Sequence, residues 1–312
     1  MTKAVLVIPA YNEGACIDSS IRRVYQVMQR VDMAFEIVVI DDGSQDETWA
    51  HICALSQLLC EVTGLRLSRN FGKEQAICAG LEYADGDLVI LLDADMQHPP
   101  ELIPKMIECW KLEDADIVEA VKVSRGSESF LSKMFAHVFY AVMGRLSGFD
   151  FSGASDYKLL DRKVLEAWRS LGERNVFFRA MSAWVGFERK QIAFEVAERE
   201  VGESKWSKWA LLGLAVKGVT AFSTAPLRLI SLSGAVFFVF ALGVAANTMY
   251  QYWMGEAVTG FSTVILLLLI TSSLVMLALG VIGEYVARIY EEVKGRPRYI
   301  VSQTTDGLSQ IK

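Results

Sequence analysis

The chain has 312 residues, enough for one large domain with an appendage or for two modest domains. Its net charge of −6, with no compact Arg/Lys cluster interleaved with aromatics in the first two hundred residues, argues against nucleic acid as a partner. Apolar residues make up 52% and mean hydropathy is +0.29, both high for a purely soluble protein, so the excess must be located.

Met1-Thr2-Lys3 leads into a short apolar run that ends in Pro9 and a polar Asn-Glu pair, which reads as a first strand and not as a signal peptide. Strands are expected at Ala4–Pro9, Glu36–Ile40, Gly64–Leu67, Leu88–Leu92 and Asp116–Val123. Helices are expected between them, at Ala15–Arg30, Asp46–Cys60, Lys73–Tyr83 and Pro100–Lys111. This alternation predicts an α/β domain with a mostly parallel sheet, whose ligands bind at the carboxyl ends of the strands. Further on, an aromatic-rich amphipathic helix is expected over Glu128–Leu146, a strand over Ser155–Leu160 and a helix over Asn175–Val185.

The segment from Gly202 through the Trp206 and Trp209 pair to Leu227 fits either a helix lying on a bilayer or a core helix. Leu229–Gly255 and Ala257–Gly283 contain no charged residue. A spanning helix needs ~20 apolar residues, so a transmembrane pair is preferred to a pair of buried core helices. Their link, Tyr250–Thr259, carries only Glu256, whereas Lys217, Arg228, Arg288, Lys294, Arg296 and Arg298 flank the outer ends. The positive-inside bias then places the domain and both termini in the cytoplasm. The predicted division is a catalytic domain over 1–203, an interfacial segment over 204–227, two transmembrane helices over 228–285 and a cytoplasmic tail over 286–312, polar and expected to be mobile after Val301. The five cysteines, Cys16, Cys53, Cys60, Cys78 and Cys109, all fall in the domain read as cytosolic and are expected as free thiols. His51, His98 and His137 lack zinc-ligand spacing, and His98 reads as a surface residue.

Polar clusters terminate four of the strands. Asp93-Ala94-Asp95 places two carboxylates around one small residue, suited to a hard divalent cation such as Mg²⁺ or Mn²⁺, with Gln97 as a neutral oxygen donor. Asp41-Asp42-Gly43-Ser44 suits a base or ribose pocket, and Ser44 or Asp46 can also cap the next helix. Tyr11, in Pro9-Ala10-Tyr11-Asn12-Glu13, offers a ring to a base, and Arg69-Asn70-Phe71-Gly72-Lys73 offers two cations to a pyrophosphate.

Taken in order, these clusters resemble the signatures of family 2 glycosyltransferases. Gly153-Ala154-Ser155-Asp156-Tyr157-Lys158-Leu159-Leu160-Asp161-Arg162, Glu173-Arg174-Asn175, Arg179, Gly202-Glu203-Ser204-Lys205 and Gly295-Arg296-Pro297-Arg298-Tyr299 resemble further elements of the polyprenyl-phosphate branch. That branch includes dolichyl-phosphate mannose synthases and bactoprenol glucosyltransferases. The resemblance covers nearly the whole chain. It implies a GT-A-type nucleotide-sugar domain followed by interfacial helices and two transmembrane helices. It implies that Pro9, Tyr11, Glu13 and Asp42 hold the nucleoside of a UDP-sugar or related donor, and that Asp93, Ala94, Asp95 and Gln97 serve the metal and diphosphate. Arg199 and Lys205 match a basic pair that closes over the diphosphate, a role preferred for Lys205 over an interfacial anchor.

The lipid phosphate needs cations of its own. Lys133 and His137 lie one helical turn apart where relatives carry Arg and Ser, and Lys122 stands where many carry Arg, with Arg125 close by. Catalysis is expected to centre on Asp95 and on Asp156, which either orients a sugar hydroxyl or acts as a base. The implied reaction is inverting transfer of a sugar, glucose first, to undecaprenyl or another polyprenyl phosphate at the bacterial inner membrane. Formamido-arabinose, N-acetylhexosamine and mannose are the alternative sugars. A non-catalytic scaffold is the rival reading. A processive polysaccharide synthase is disfavoured because the chain has no Gln-x-x-Arg-Trp element, and a transporter because the spans carry no ionisable residue. The small residues Gly234, Ala235, Gly243, Ala245 and Ala246 allow close helix approach within a chain or in a homo-oligomer.

Overall fold

The computed structural model describes residues 2–96, 98–113, 115–122, 155–171, 178, 184–194, 224–255 and 260–306. They form two units. One holds a sheet with its helices and includes the segment from Arg296 onward; the other holds two long helices.

The sheet unit runs β1 (Lys3–Ala10), α1 (Ile17–Met28), β2 (Ala34–Asp41), α2 (Thr48–Leu58), β3 (Val62–Leu67), α3 (Lys73–Tyr83), β4 (Leu88–Leu91), a short 3₁₀ turn (Pro100–Leu102), α4 (Ile103–Glu113), β5 (Ile117–Lys122), β6 (Lys158–Asp161), α5 (Arg162–Ser170) and β7 (Arg189–Phe194). The helical unit contributes α6 (Ala225–Trp253) and α7 (Phe261–Val293), after which β8 (Val301–Thr304) rejoins the sheet. The strand order is β7-β5-β6-β4-β1-β2-β3-β8. The β1–β2, β1–β4, β2–β3 and β5–β7 pairs are parallel, while β3–β8, β4–β6 and β5–β6 are antiparallel.

β1 is apolar on both faces because helices cover both sides of the sheet. Ala4, Leu6, Ile8 and Ala10 pack with α1, α2 and α4 on one face; Val5 and Val7 pack with α3 and α5 on the other. The chain leaves β1 toward β2 and β3 but later adds β4 on the opposite side. This is a topological switch point, where α/β sheets open a crevice beyond the carboxyl ends of the strands.

The predicted α3 agrees with the observed helix at both ends, and the other early elements shift by a few residues. The strand expected at Ser155–Leu160 is β6, over Lys158–Asp161. The helix at Glu128–Leu146, most of that at Asn175–Val185 and the interfacial segment up to residue 223 lie outside the described residues. The expectation of a mobile tail after Val301 is corrected through residue 306, the last of the described residues. Leu65 pairs with Thr304 and Arg66 with Gln303, so β8 is an edge strand of the sheet. Thr305 N–H donates to the Gly64 carbonyl at 3.0 Å, Gly64 N–H to Thr305 Oγ1 at 2.8 Å, and Tyr83 Oη–H to Asp306 Oδ2 at 2.6 Å. Just upstream, Tyr299 Oη–H donates to Glu82 Oε2 at 2.6 Å and Arg298 to the Leu171 carbonyl at 3.0 Å.

The second unit contains two stretches, Pro226–Trp253 and Val264–Val293, long and apolar enough to cross a membrane, with none of either apolar window buried inside the protein. That exposure does not fit a pair of soluble core helices. Leu229, Phe238, Leu268 and Met276 are among the large side chains that remain mostly exposed. Helices apolar all round need an apolar surrounding.

Candidate active site

Loops from β1, β2 and β3 meet at the carboxyl edge. Asn12, at φ 55°, donates its backbone N–H to Ser44 Oγ at 2.9 Å, and its Oδ1 accepts from Gln45 N–H at 2.9 Å. Glu13 N–H donates to Thr48 Oγ1 and Gly14 N–H to Asp46 Oδ2, each at 2.9 Å. Asp46 Oδ1 also accepts the Thr48 N–H at the start of α2, but the N-cap position itself is Glu47, which makes no side-chain capping bond, so the cap expected of Ser44 or Asp46 is not formed. With the loop fixed in this way, Tyr11 keeps 41% of its surface exposed and Pro9 is half-buried. Glu13 Oε2 accepts the Cys16 thiol at 3.0 Å.

Asp42 is buried and accepts backbone N–H groups from Phe71 at 2.7 Å and Gly72 at 2.8 Å, pinning the third loop. Burial pushes the Asp42 carboxyl above its ordinary range, against the lowering effect of these two bonds. Gly43 has φ 70°, and a Cβ there would stand 2.5 Å from the Arg69 carbonyl carbon. Only glycine permits that close crossing of loops. Arg69 lies over the Phe71 ring at 4.1 Å, beside this junction.

β4 supplies the carboxylates. Asp93 is partly buried and Asp95 exposed, with Ala94 buried between them and its carbonyl accepting from Ser20 Oγ at 2.8 Å. Lys73, in the first turn of α3, places Nζ 2.7 Å from Asp93 Oδ1 and 2.9 Å from Asp156 Oδ2. Burial lowers the Lys73 pKa, but Asp93 and Asp156 override it and hold the ammonium above its ordinary value. Asp156 reaches this point because β6 runs antiparallel to β4, with Lys158 opposite Leu91. The residues before β6 therefore sit at the same edge as the residues after β4. Asp156 is 8% exposed. Lys122 ends β5, which runs parallel in direction to β4, so its backbone reaches the same edge.

His98 is corrected from a surface residue to a buried one. Its ring lies 5.2 Å from that of Tyr157 and 5.9 Å from that of Phe194, with Nδ1 3.7 Å from Asp93 Oδ2. Beneath the site, Lys158 Nζ meets Glu119 Oε1 at 3.1 Å, both side chains being fully buried, and lies 5.0 Å from the Phe178 ring. Phe178 N–H donates to Glu74 Oε2 at 2.9 Å, next to Lys73. Sequence reading missed this support, although Lys158 stands inside a recognised motif. Tyr11, Glu13, Asp42, Lys73, Asp93, Asp95, Asp156 and Lys122 thus share one edge, while Gln97, Arg125, Lys133, His137, Arg199 and Lys205 lie outside the described residues.

Asp93 and Asp95 supply oxygen donors only, as a hard cation requires, and Asp93 already carries a cationic partner in Lys73. No group of three or more His, Cys, Asp or Glu placed to hold a metal occurs among the described residues. Such a donor set suits a cation that completes its shell with substrate phosphates and water.

The model of glycosyl transferase family 2 matches residues 5–168, a span containing this whole edge. The chain belongs to glycosyltransferase family 2. Over 313 residues it is 36% identical to a prophage-derived bactoprenol glucosyl transferase of Shigella flexneri, covering 98% of this chain and 99% of that protein. It is 37% identical to an uncharacterised glycosyltransferase of Bacillus subtilis over 301 residues, 96% of this chain and 93% of that one. A solved glucosyl-3-phosphoglycerate synthase of Mycobacterium tuberculosis, in complex with Mg²⁺ and uridine diphosphate, is similar with TM-score 0.48 and 22% identity, covering 70% of this chain and 76% of that one. The protein is a family 2 glycosyltransferase whose mixed, mostly parallel sheet is followed by two helices of membrane-spanning length.

Proposed function

We propose that this glycosyltransferase moves a sugar, glucose first among the candidates, from a nucleoside diphosphate sugar to polyprenyl phosphate at the cytoplasmic face of the bacterial inner membrane. The observation that carries the reading is the acidic edge formed by Asp93, Asp95 and Asp156 on a chain that also bears two helices of spanning length. The similarity to bactoprenol glucosyl transferases over nearly the full chain supports the acceptor and the sugar. The return of β8 to the sheet supports an even number of membrane crossings, since the chain before α6 and the chain after α7 enter one domain.

In this reading Tyr11 stacks on the base, and Pro9, Glu13 and Asp42 shape the nucleoside pocket. Asp93 and Asp95, with Gln97, would hold Mg²⁺ or Mn²⁺. When bound, that cation acts as a Lewis acid on the leaving diphosphate. Lys73, Lys122, Arg199 and Lys205 hold the donor phosphates, while Arg125, Lys133 and His137 receive the lipid phosphate. A phosphate monoester loses its second proton near pH ~6, so the acceptor arrives largely as a dianion. It needs alignment more than a base. Asp156 is therefore given the role of orienting a sugar hydroxyl. A single displacement inverts the anomeric centre.

The test is a transfer assay on detergent-solubilised protein with short-chain polyprenyl phosphate, Mg²⁺ or Mn²⁺, and a panel of radiolabelled nucleotide-sugars. Label should enter the lipid phase from one donor and vanish with EDTA or Asp95→Asn. Nucleotide binding without label from any donor would refute the acceptor. No nucleotide binding at all would favour the scaffold.

A further inference from the structure

Lys73 makes two contacts that a purely phosphate-binding lysine would not need. Its Nζ lies 2.7 Å from Asp93 and 2.9 Å from Asp156, so one ammonium bridges carboxylates from two different strand ends. The two carboxylates lie within two hydrogen-bond lengths of each other, and the Asp156 side chain is only 9% exposed. Like charges so close, one of them buried, require a cation between them. Lys73 itself keeps 44% of its side-chain surface. It sits at the start of α3, just after Gly72 at φ 103°. A lysine there is a compact charge on a flexible stem that can change partners without moving the helix, unlike a planar guanidinium.

We propose that Lys73 is a resident counter-ion, occupying the cationic position between Asp93 and Asp156 in the donor-free enzyme and yielding Asp93 when a divalent cation arrives with the donor. The inference rests on the reading of Asp93 and Asp95 as the metal-holding pair. In the free enzyme the ammonium keeps the acidic edge assembled and competes with a bare metal ion. When the nucleotide brings its own negative charge, the ammonium turns to the diphosphate, so cation and nucleotide bind better together than apart. A static ion pair makes the opposite prediction: removing Lys73 would loosen the edge and weaken both ligands.

The experiment measures Mn²⁺ binding to the full-length protein in detergent by electron paramagnetic resonance, with and without UDP, for wild type, Lys73→Met, Lys73→Arg and Asp93→Asn. Without UDP, Lys73→Met should bind Mn²⁺ on the order of tenfold more tightly than wild type, because one nearby positive charge is gone. Lys73→Arg, which keeps the charge but holds carboxylates through a planar fork, should bind Mn²⁺ no more tightly than wild type. With Mn²⁺ present, UDP should bind Lys73→Met more weakly than wild type. Equal or weaker Mn²⁺ binding by a folded Lys73→Met, with wild-type binding still abolished by Asp93→Asn, overturns the counter-ion and leaves the metal site standing. No Mn²⁺ binding by any of the proteins, even with UDP, overturns both. Lys73→Gln replaces Lys73→Met if the latter fails to show a cooperative thermal transition.

Discussion

Asp156 owes its place to strand direction: an antiparallel β6 brings the residue before it to the edge where β1 and β4 end. If it orients the sugar, Asp156→Asn should lower turnover by about 10²-fold, the cost of misplacing a bound substrate by roughly an ångström. The nucleotide affinity and thermal transition should change little; the transfer assay and a UDP titration check this, and near-normal turnover would remove Asp156 from the site. Cysteine chemistry gives a second residue-scale outcome. Burial pushes the Cys78 thiol from 9.0 up to about 12. The unfolded chain thus releases this proton first, and the native state loses stability as pH rises through that window. At pH 8, iodoacetamide should modify the exposed Cys60 in the folded protein and spare Cys78 until denaturant is added, with peptide mass spectrometry as the readout. Asp42, Asp93 and Asp95 could be placed at the sheet edge because each follows an apolar run that ends abruptly, and Lys73 because it closes the polar Arg69-Asn70-Phe71-Gly72-Lys73 cluster after β3. His98 was not, since its burial depends on Tyr157 and Phe194, which only the folded sheet brings against it.

Among the elements, α3 was readable to the residue because Gly72 breaks the chain before it and the apolar pattern stops at Tyr83. The strand β8 was not. Val301–Thr304 has one apolar residue in four, as an edge strand with a solvated face allows, so no period-2 pattern distinguishes it from a polar tail. β7 was missed for a similar reason: it opens on Arg189-Lys190-Gln191 and shows its apolar character only at Ile192 and Phe194. Deleting residues 296–306 should leave the β3 edge open and expose its bonding groups. Native-state hydrogen exchange should then accelerate at Gly64 and Ser68, whose N–H groups donate to Thr305 Oγ1 and the Ile300 carbonyl. Unchanged protection at both amides would show that β8 contributes nothing to the edge.

At the scale of the molecule, one domain receives chain from both sides of the helical pair. If both helices cross the bilayer, the turn between them faces away from the cytoplasm. A membrane-impermeant maleimide applied to intact cells should label Met254→Cys and leave Cys60 untouched until lysis; the reverse pattern would invert the topology. Gly64 and Thr305, joined by a 2.8 Å hydrogen bond, are 241 residues apart, and both helices of membrane-spanning length are translated between them. A ribosome therefore releases most of the sheet long before it supplies the strand that closes β3. Synthesis from the N-terminus does not finish the domain first and thread the helices second. Nascent chains stalled after α7 should be cut by protease near β3, and chains extended through residue 306 should resist. Assembly of the sheet's edge thereby acts as a clock set by translation, running out only after the ribosome has delivered both helices.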